Sequence, residues 1–249
     1  MHRFFVHELG LSLPTIPLGS QLTLPESIAH QIRDVLHLHK GERLILLDNS
    51  GDEFTAEVSK TERKSVEVQI VERHTGKSES SVTIVLCQGL LKSARFELVL
   101  EKGTELGVSV FAPVLCQRST AGLGDAGPSK IQRWQRIIQE AAEQCGSARL
   151  PELLPIRPFS QALADIPPDT LALIPWEEEQ HRSLRTVLRE HKGQQPNVVL
   201  FIGPEGGLTA TEIQQAQQYG VQSVTLGQRI LRAETAALAA VANVMYELE

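Results

Sequence analysis

From Val82 to the end of the chain, short apolar runs alternate with segments of helical periodicity, and no other feature restricts the fold as tightly. The pattern predicts strands over residues 82–88, 108–115, 171–175, 198–202 and 224–226. It predicts helices over residues 93–106, 129–145, 181–191, 209–219 and 233–248. A βα alternation of this kind implies an α/β fold with a mostly parallel sheet covered by helices. Ligands of such sheets sit beyond the carboxyl ends of the strands, so the strand-to-helix loops are the place to look for chemistry.

The preceding part reads differently. Residues 43–48 form a short apolar run, followed by the turn signal Asn49-Ser50-Gly51. Residues 53–58 and 65–71 then alternate apolar and polar side chains, as half-buried strands do. With one helix expected over residues 28–38, this part predicts a small β-barrel. The polar stretch at 74–81 has no periodicity and is expected to be a linker. The resulting division is an N-terminal domain of residues 1–74 and a C-terminal domain of residues 75–249.

Two of the C-terminal loops stand out. Ile202-Gly203-Pro204-Glu205-Gly206-Gly207-Leu208-Thr209 places three glycines between a strand and a helix. Thr209 and Glu212 have the spacing of a capping box, so the helix should open with free N–H groups toward the loop. On composition alone, an ordinary strand-to-helix turn explains the segment equally well. A phosphate-binding P-loop is disfavoured, because no Gly-Lys-Ser/Thr follows and Glu205 would repel phosphate. The second loop runs Leu226-Gly227-Gln228-Arg229-Ile230-Leu231-Arg232-Ala233-Glu234-Thr235-Ala236. Its Ile230-Leu231 pair suits a planar ring, and Arg232 and Glu234 flank a helix start where an acidic side chain is favourable.

Other signals are weaker. Gly122-Leu123-Gly124-Asp125-Ala126-Gly127 matches G-x-G-x-x-G, but a helix expected from residue 129 begins after its last glycine. A dinucleotide site needs those glycines to open the helix itself, so a flexible loop is the better reading. In the helix at 129–145, Trp134, Ile137, Ile138, Ala141 and Cys145 are expected to form a buried stripe, with Lys130, Arg133 and Arg136 largely elsewhere. Glu177, Glu178 and Glu179 read as a solvated acidic surface. Six histidines precede residue 75 without a tight metal-ligand pattern, so no metal is expected. No nucleophile elbow is present.

The net charge of −6 does not favour a nucleic-acid partner. Yet Lys92, Arg95, Arg118, Lys130, Arg133, Arg136 and Arg149 make the middle of the chain locally basic. No apolar run has membrane-spanning length, and the start lacks a secretory pattern. Three widely spaced cysteines, Cys87, Cys116 and Cys145, argue for a reducing cytoplasm and for small buried side chains.

Taken together, the two loops resemble the paired signature of the RsmE-type ribosomal RNA uridine-N3-methyltransferases of the SPOUT superfamily. Three further segments agree in order. They are His2-Arg3-Phe4-Phe5, Glu101-Lys102-Gly103-Thr104-Glu105-Leu106-Gly107-Val108, and the stretch from Gln132-Arg133-Trp134 to Glu140-Ala141-Ala142-Glu143-Gln144-Cys145. The chain departs from the family pattern at His37, Ser147 and Ala233.

The resemblance implies an N-terminal PUA-like barrel, a C-terminal domain with a deep trefoil knot, and a homodimer. It implies S-adenosylmethionine as cofactor and a uridine of 16S ribosomal RNA in the small ribosomal subunit as substrate. Three loops would hold the cofactor: Ile174 and Pro175; Ile202, Gly203, Pro204, Glu205, Gly206 and Gly207; and Leu226, Gly227, Ile230, Leu231 and Arg232. Arg232 would stabilise the uridine anion, and Glu234 or a water it holds would take the proton. Arg3, Arg118, Arg133 and Arg149 would grip RNA. Two alternatives remain open at this point. One is a nucleotide-dependent oxidoreductase built on Gly122 to Gly127; the other is a ribosome-assembly module without turnover.

Overall fold

The computed structural model describes residues 1–6, 10, 12–63, 65–75, 80–120, 122, 124, 127–194 and 197–249. These pack as two compact units, Met1–Glu79 with Ala142–Leu150, and Ser80–Ala141 with Pro151–Glu249. Four residues of the expected linker, 76–79, lie outside the described residues.

The first unit is built on a five-stranded sheet. Its strands are β1 (Arg3–Phe5), β2 (Gln21–Leu24), β3 (Arg43–Leu47), β4 (Glu53–Thr61) and β5 (Val66–His74), in the order β1-β3-β4-β5-β2. β1 and β3 pair in parallel, and the other pairs are antiparallel. The unbroken run Leu44-Ile45-Leu46-Leu47 follows from burial on both faces. Leu44 and Leu46 join Phe4, Phe54, Val58 and Val68 in one core, whereas Ile45 and Leu47 join Phe5, Ala142 and Ala148 in another. That second core is why residues 142–150 belong with this unit.

The helix expected over 28–38 opens two residues earlier and ends sooner. α1 (Glu26–His30) starts directly after Pro25, and a π-helical turn covers Gln31–Val35. His37 then turns into the left-handed region at φ 53°, where a helix cannot continue.

In the second unit the strands are β6 (Ile84–Gly89), β7 (Val110–Leu115), β8 (Glu152–Leu153), β9 (Arg157–Pro158), β10 (Thr170–Pro175), β11 (Asn197–Ile202) and β12 (Gln222–Val224). Their order is β12-β10-β11-β6-β7-β8, with β9 also on β7, and every pair is parallel. The helices are α2 (Ser93–Glu105), α3 (Pro128–Cys145), α4 (Phe159–Ala164), α5 (Leu184–Glu190), α6 (Ala210–Gln218) and α7 (Ala233–Leu248). Alternate strand residues face opposite cores. Leu86, Leu173 and Leu200 meet side chains of α2, α5 and α7, whereas Cys87, Ile174 and Phe201 meet those of α4 and α6. This two-sided burial is what makes the strands read as short continuous apolar runs.

Two expectations need correcting. The helix at 181–191 begins only at Leu184, because Ser183 is its N-cap and accepts from the Thr186 N–H. Cys145 is exposed rather than buried; Trp134, Ile138 and Ala141 carry the stripe, Ala142 is also buried, and Ile137 is half-buried. β8, β9 and α4 carry no strong sequence signal, because their apolar residues are too few to set a period. Leu123, Asp125 and Ala126 of the Gly122 to Gly127 segment lie outside the described residues, but α3 starts at Pro128, after the last glycine.

Burial pushes the thiols of Cys87 and Cys116 up to about 12, Cys116 with smaller contributions from Glu212 and Cys87. A thiol that stays protonated is a poor nucleophile. Alkylation of the folded protein at neutral pH is therefore expected to modify Cys145 alone. Cys87 and Cys116 should react only after denaturation, which peptide mass spectrometry reads directly.

Candidate active site

Because β6, β10, β11 and β12 are parallel, their carboxyl ends share one edge of the sheet. A cavity of about 390 Å³ opens there. Its wall brings together Pro175, the whole of Ile202 to Leu208, Ile230 to Glu234, and Arg95 from the first turn of α2. That volume lies in the usual range for small-molecule sites.

The glycine loop is fixed from several directions. Gly207 sits at φ 71°, a conformation side chains resist. Thr209 caps α6: its hydroxyl accepts from the Glu212 N–H, and the Glu212 carboxylate accepts from the Thr209 N–H at 2.8 Å. The other Glu212 oxygen accepts from the Gln117 N–H at 2.8 Å, so this buried carboxylate has donors on both sides. Thr209→Ala should cost about 1 kcal/mol of stability by removing the cap. A shift in the chemical denaturation midpoint checks it.

Glu205 is exposed, and its carboxylate reaches toward α2. Its Oε1 accepts from the Lys92 N–H at 3.2 Å and from Arg95 Nη1 at 3.3 Å. Glu234, in the first turn of α7, is buried; its Oε1 lies 3.5 Å from Arg95 Nε, and its Oε2 has no hydrogen-bond partner. Arg232 is the N-cap residue of α7, yet its side chain makes no cap bond and no ion pair with a described residue. One wall of the cavity thus carries an unengaged guanidinium and a buried carboxylate oxygen without a donor.

The acidic cluster at 177–179 is not simply a solvated surface. Glu177 lines the cavity, with its Oε1 3.0 Å from where a Cβ on Gly207 would lie. Glu179 accepts from the backbone N–H of His181, the Ser223 hydroxyl and the backbone N–H of Arg182. These bonds, the His181 one foremost, hold its carboxyl below the usual carboxylate range.

Comparison with known proteins agrees with this geometry. Residues 78–245 match the family described as RNA methyltransferase domain, and residues 24–71 the one described as RNA methyltransferase PUA domain. A Synechocystis protein named ribosomal RNA small subunit methyltransferase E is 34% identical over 93% of this chain and 75% of its own length. The Bacillus subtilis protein of that name is 27% identical over 100% of this chain and 98% of its own length. The crystal structure of ribosomal RNA small subunit methyltransferase E from Neisseria gonorrhoeae, bound to S-adenosyl methionine, is 33% identical. It superposes with a TM-score of 0.88, covering 100% of this chain and 98% of its own. The chain belongs to the ribosomal RNA small subunit methyltransferase E family.

Within this methyltransferase E fold, most of the residues expected around a cofactor do converge on the cavity, with three exceptions. Ile174 is fully buried in the sheet, Leu226 packs on the core beneath, and Gly227 is exposed at φ 123° without lining the cavity. The four arginines expected to grip RNA each have a partner within the chain. Arg3 binds Glu53 through two hydrogen bonds of 2.7 and 3.2 Å. Arg133 binds Glu97 at 2.8 Å through both Nε and Nη2. Arg118 donates to the Gly206 carbonyl at 3.2 Å, and Arg149 to the Ser50 carbonyl at 3.0 Å.

Sequence reasoning missed Arg95, Trp176, Glu177 and Gly89. Arg95 counted only as one of several basic residues, because nothing in α2 reveals that its first turn faces the glycine loop. Gly89 ends β6 where an added Cβ would lie 2.6 Å from the Pro204 nitrogen and 2.8 Å from the Gly203 carbonyl carbon. Beside it, buried Gln88 donates from Nε2 to the Gly89 carbonyl at 2.9 Å and to the Gly203 carbonyl at 3.4 Å. The methyltransferase E loop at 203–207 is therefore seated on the end of a neighbouring strand.

Proposed function

We propose that this protein methylates N3 of a specific uridine in the 16S ribosomal RNA of the small subunit, with S-adenosylmethionine as methyl donor. The observation that carries the reading is the cavity wall itself. Glycine backbone, the half-buried Leu231, the exposed Arg232 guanidinium and the donor-free Glu234 oxygen converge on one cleft of ligand size. The groups present suit the cofactor: open backbone and apolar side chains for a planar adenine, and carboxylates at Glu177 and Glu234 for a molecule bearing cationic centres.

When bound, the cofactor supplies a methyl carbon made electrophilic by its sulfonium. The uridine N3 is a poor nucleophile until its proton leaves. Glu234, or a water it holds, accepts that proton. The N3–C bond then forms as the S–C bond breaks, and the electron pair of the latter stays on sulfur. Arg232 faces the charge that develops on the uracil oxygens and stabilises it. Holding both reactants in line supplies much of the remaining acceleration.

The finer points belong to the same proposal. Residues 1–74 form the PUA-like RNA-binding domain and 75–249 the methyltransferase domain, acting in the cytoplasm as a homodimer. Arg3, Arg118, Arg133 and Arg149 meet RNA by exchanging internal partners for phosphates. The C-terminal domain is knotted. In support, α7 packs against α2, α5, β6 and β11, whereas the segment leading into it leaves β12 beside β10 at the sheet edge. It therefore runs from the sheet edge to elements at the middle of the sheet, and threading it past the β10-to-β11 connection would be a path ordinary folds avoid.

Incubation of small subunits with the protein and methyl-labelled cofactor tests the function. Label in 16S RNA is expected. Tight particle binding without label would instead indicate an assembly module.

A further inference from the structure

The fork of Arg95 joins two parts of the cavity wall that are far apart in sequence. Nη1 lies 3.3 Å from Oε1 of Glu205 in the glycine loop, and Nε lies 3.5 Å from Oε1 of Glu234 in the first turn of α7. The Glu205 oxygen also accepts from the Lys92 N–H at 3.2 Å, so the same contact ties down the start of α2. Arg95 itself stands on α2, which packs along α7.

The consequence for Glu234 is asymmetric. Its Oε1 has a charged partner, whereas its Oε2 is buried and has no donor. A buried carboxylate oxygen left bare is unfavourable unless something supplies a hydrogen bond. The ion pair at Oε1 biases how the carboxylate is turned, and with it where the bare oxygen lies. A guanidinium performs this task where an ammonium cannot, because its planar fork spans two acceptors at fixed separation.

We propose that Arg95 is a positioning residue for methyl transfer: pairing with Glu205 and Glu234 at once, it holds the Glu234 carboxylate so that Oε2 meets the N3 proton of the bound uridine. The inference rests on the reading of Glu234 as proton acceptor. It makes Arg95 a group that acts through Glu234 rather than on the substrate. It also makes Glu205 part of the alignment device, not a cofactor ligand.

A double-mutant cycle tests this on the full chain. Arg95→Gln, Glu234→Gln, the double variant and Arg95→Lys are compared for single-turnover methylation of small subunits, for S-adenosylmethionine affinity by calorimetry, and for melting temperature. Arg95→Gln is expected to slow methyl transfer by at least about tenfold, with cofactor affinity changed less than about threefold. The double variant should be no slower than Glu234→Gln, since a device acting through Glu234 has nothing left to align. Arg95→Lys, which keeps the charge but serves one carboxylate at a time, should recover part of the rate and covers the case in which the glutamine variant does not fold.

Multiplicative losses in the double variant, or full rate in Arg95→Gln or Arg95→Lys, would overturn the inference while leaving Glu234 as acceptor. Full rate in Glu234→Gln would overturn the acceptor reading and the inference together.

Discussion

Arg232→Ala should lower the methylation rate by about 10²–10³-fold, the typical effect of removing one donor aimed at developing charge. That corresponds to roughly 3–4 kcal/mol of barrier. Stability should barely move. The Arg232 side chain is exposed and makes no cap bond to α7, and surface changes away from special features usually fall within about 0.5 kcal/mol. Cofactor affinity should largely persist, because Arg232 is one of many residues in the cavity wall and the substitution leaves the backbone of both loops in place. Arg232→Lys should retain part of the activity, as a point charge replaces a planar donor pair. Rapid-quench methylation assays beside calorimetric titration and thermal melts separate the three quantities. An alanine variant with the full rate would remove Arg232 from the chemistry.

Gly89→Val, by contrast, should weaken cofactor binding itself. The atoms nearest to an added Cβ are the Pro204 nitrogen at 2.6 Å and the Gly203 carbonyl carbon at 2.8 Å. Both are backbone, and neither can swing aside as a flexible side chain would. Either β6 or the glycine loop has to move. β6 lies between β11 and β7 in the middle of the sheet, so the loop is the softer of the two. Overpacking of this kind costs typically 1–3 kcal/mol, roughly, and the fold should survive it. The cavity should not, because the displaced residues form its wall. Calorimetry is expected to show cofactor affinity lower by at least about tenfold, the effect of roughly 1.4 kcal/mol. Unchanged affinity would mean that the loop does not hold the cofactor.

Why the sequence revealed some of this and hid the rest has a physical explanation. The parallel sheet was legible because strands buried on both faces lose polar residues altogether, as in Val198 to Ile202, while the helices between them keep a polar side. The two loops were legible because close backbone approach demands glycine, and because Thr209 and Glu212 cap a helix at a fixed spacing. β1 was hidden because three residues cannot show a period, although Phe4 and Phe5 are buried on opposite faces. The place of 142–150 in the first unit was hidden because α3 runs unbroken through the point of division. Arg95 and Gly89 were hidden for one shared reason. Each acts on Gly203 to Glu205 from more than a hundred residues away, 110 in the case of Arg95 and Glu205. Only the order of strands in the sheet makes them neighbours. Arg232 was visible as a residue, but its lack of an ion pair with any described residue, which marks it for chemistry, is a property of the folded chain.

The most direct test of the central claim is mass mapping of 16S ribosomal RNA from small subunits incubated with S-adenosylmethionine and either the native protein or Arg232→Ala. The native protein should add one methyl group to one uridine, at N3, where it blocks Watson–Crick pairing and halts reverse transcription; the variant should leave that position largely unmodified in the same time. A methyl group on a ribose oxygen or on another base, or equal modification by the two proteins, would contradict the proposed reaction and the role of Arg232 in it.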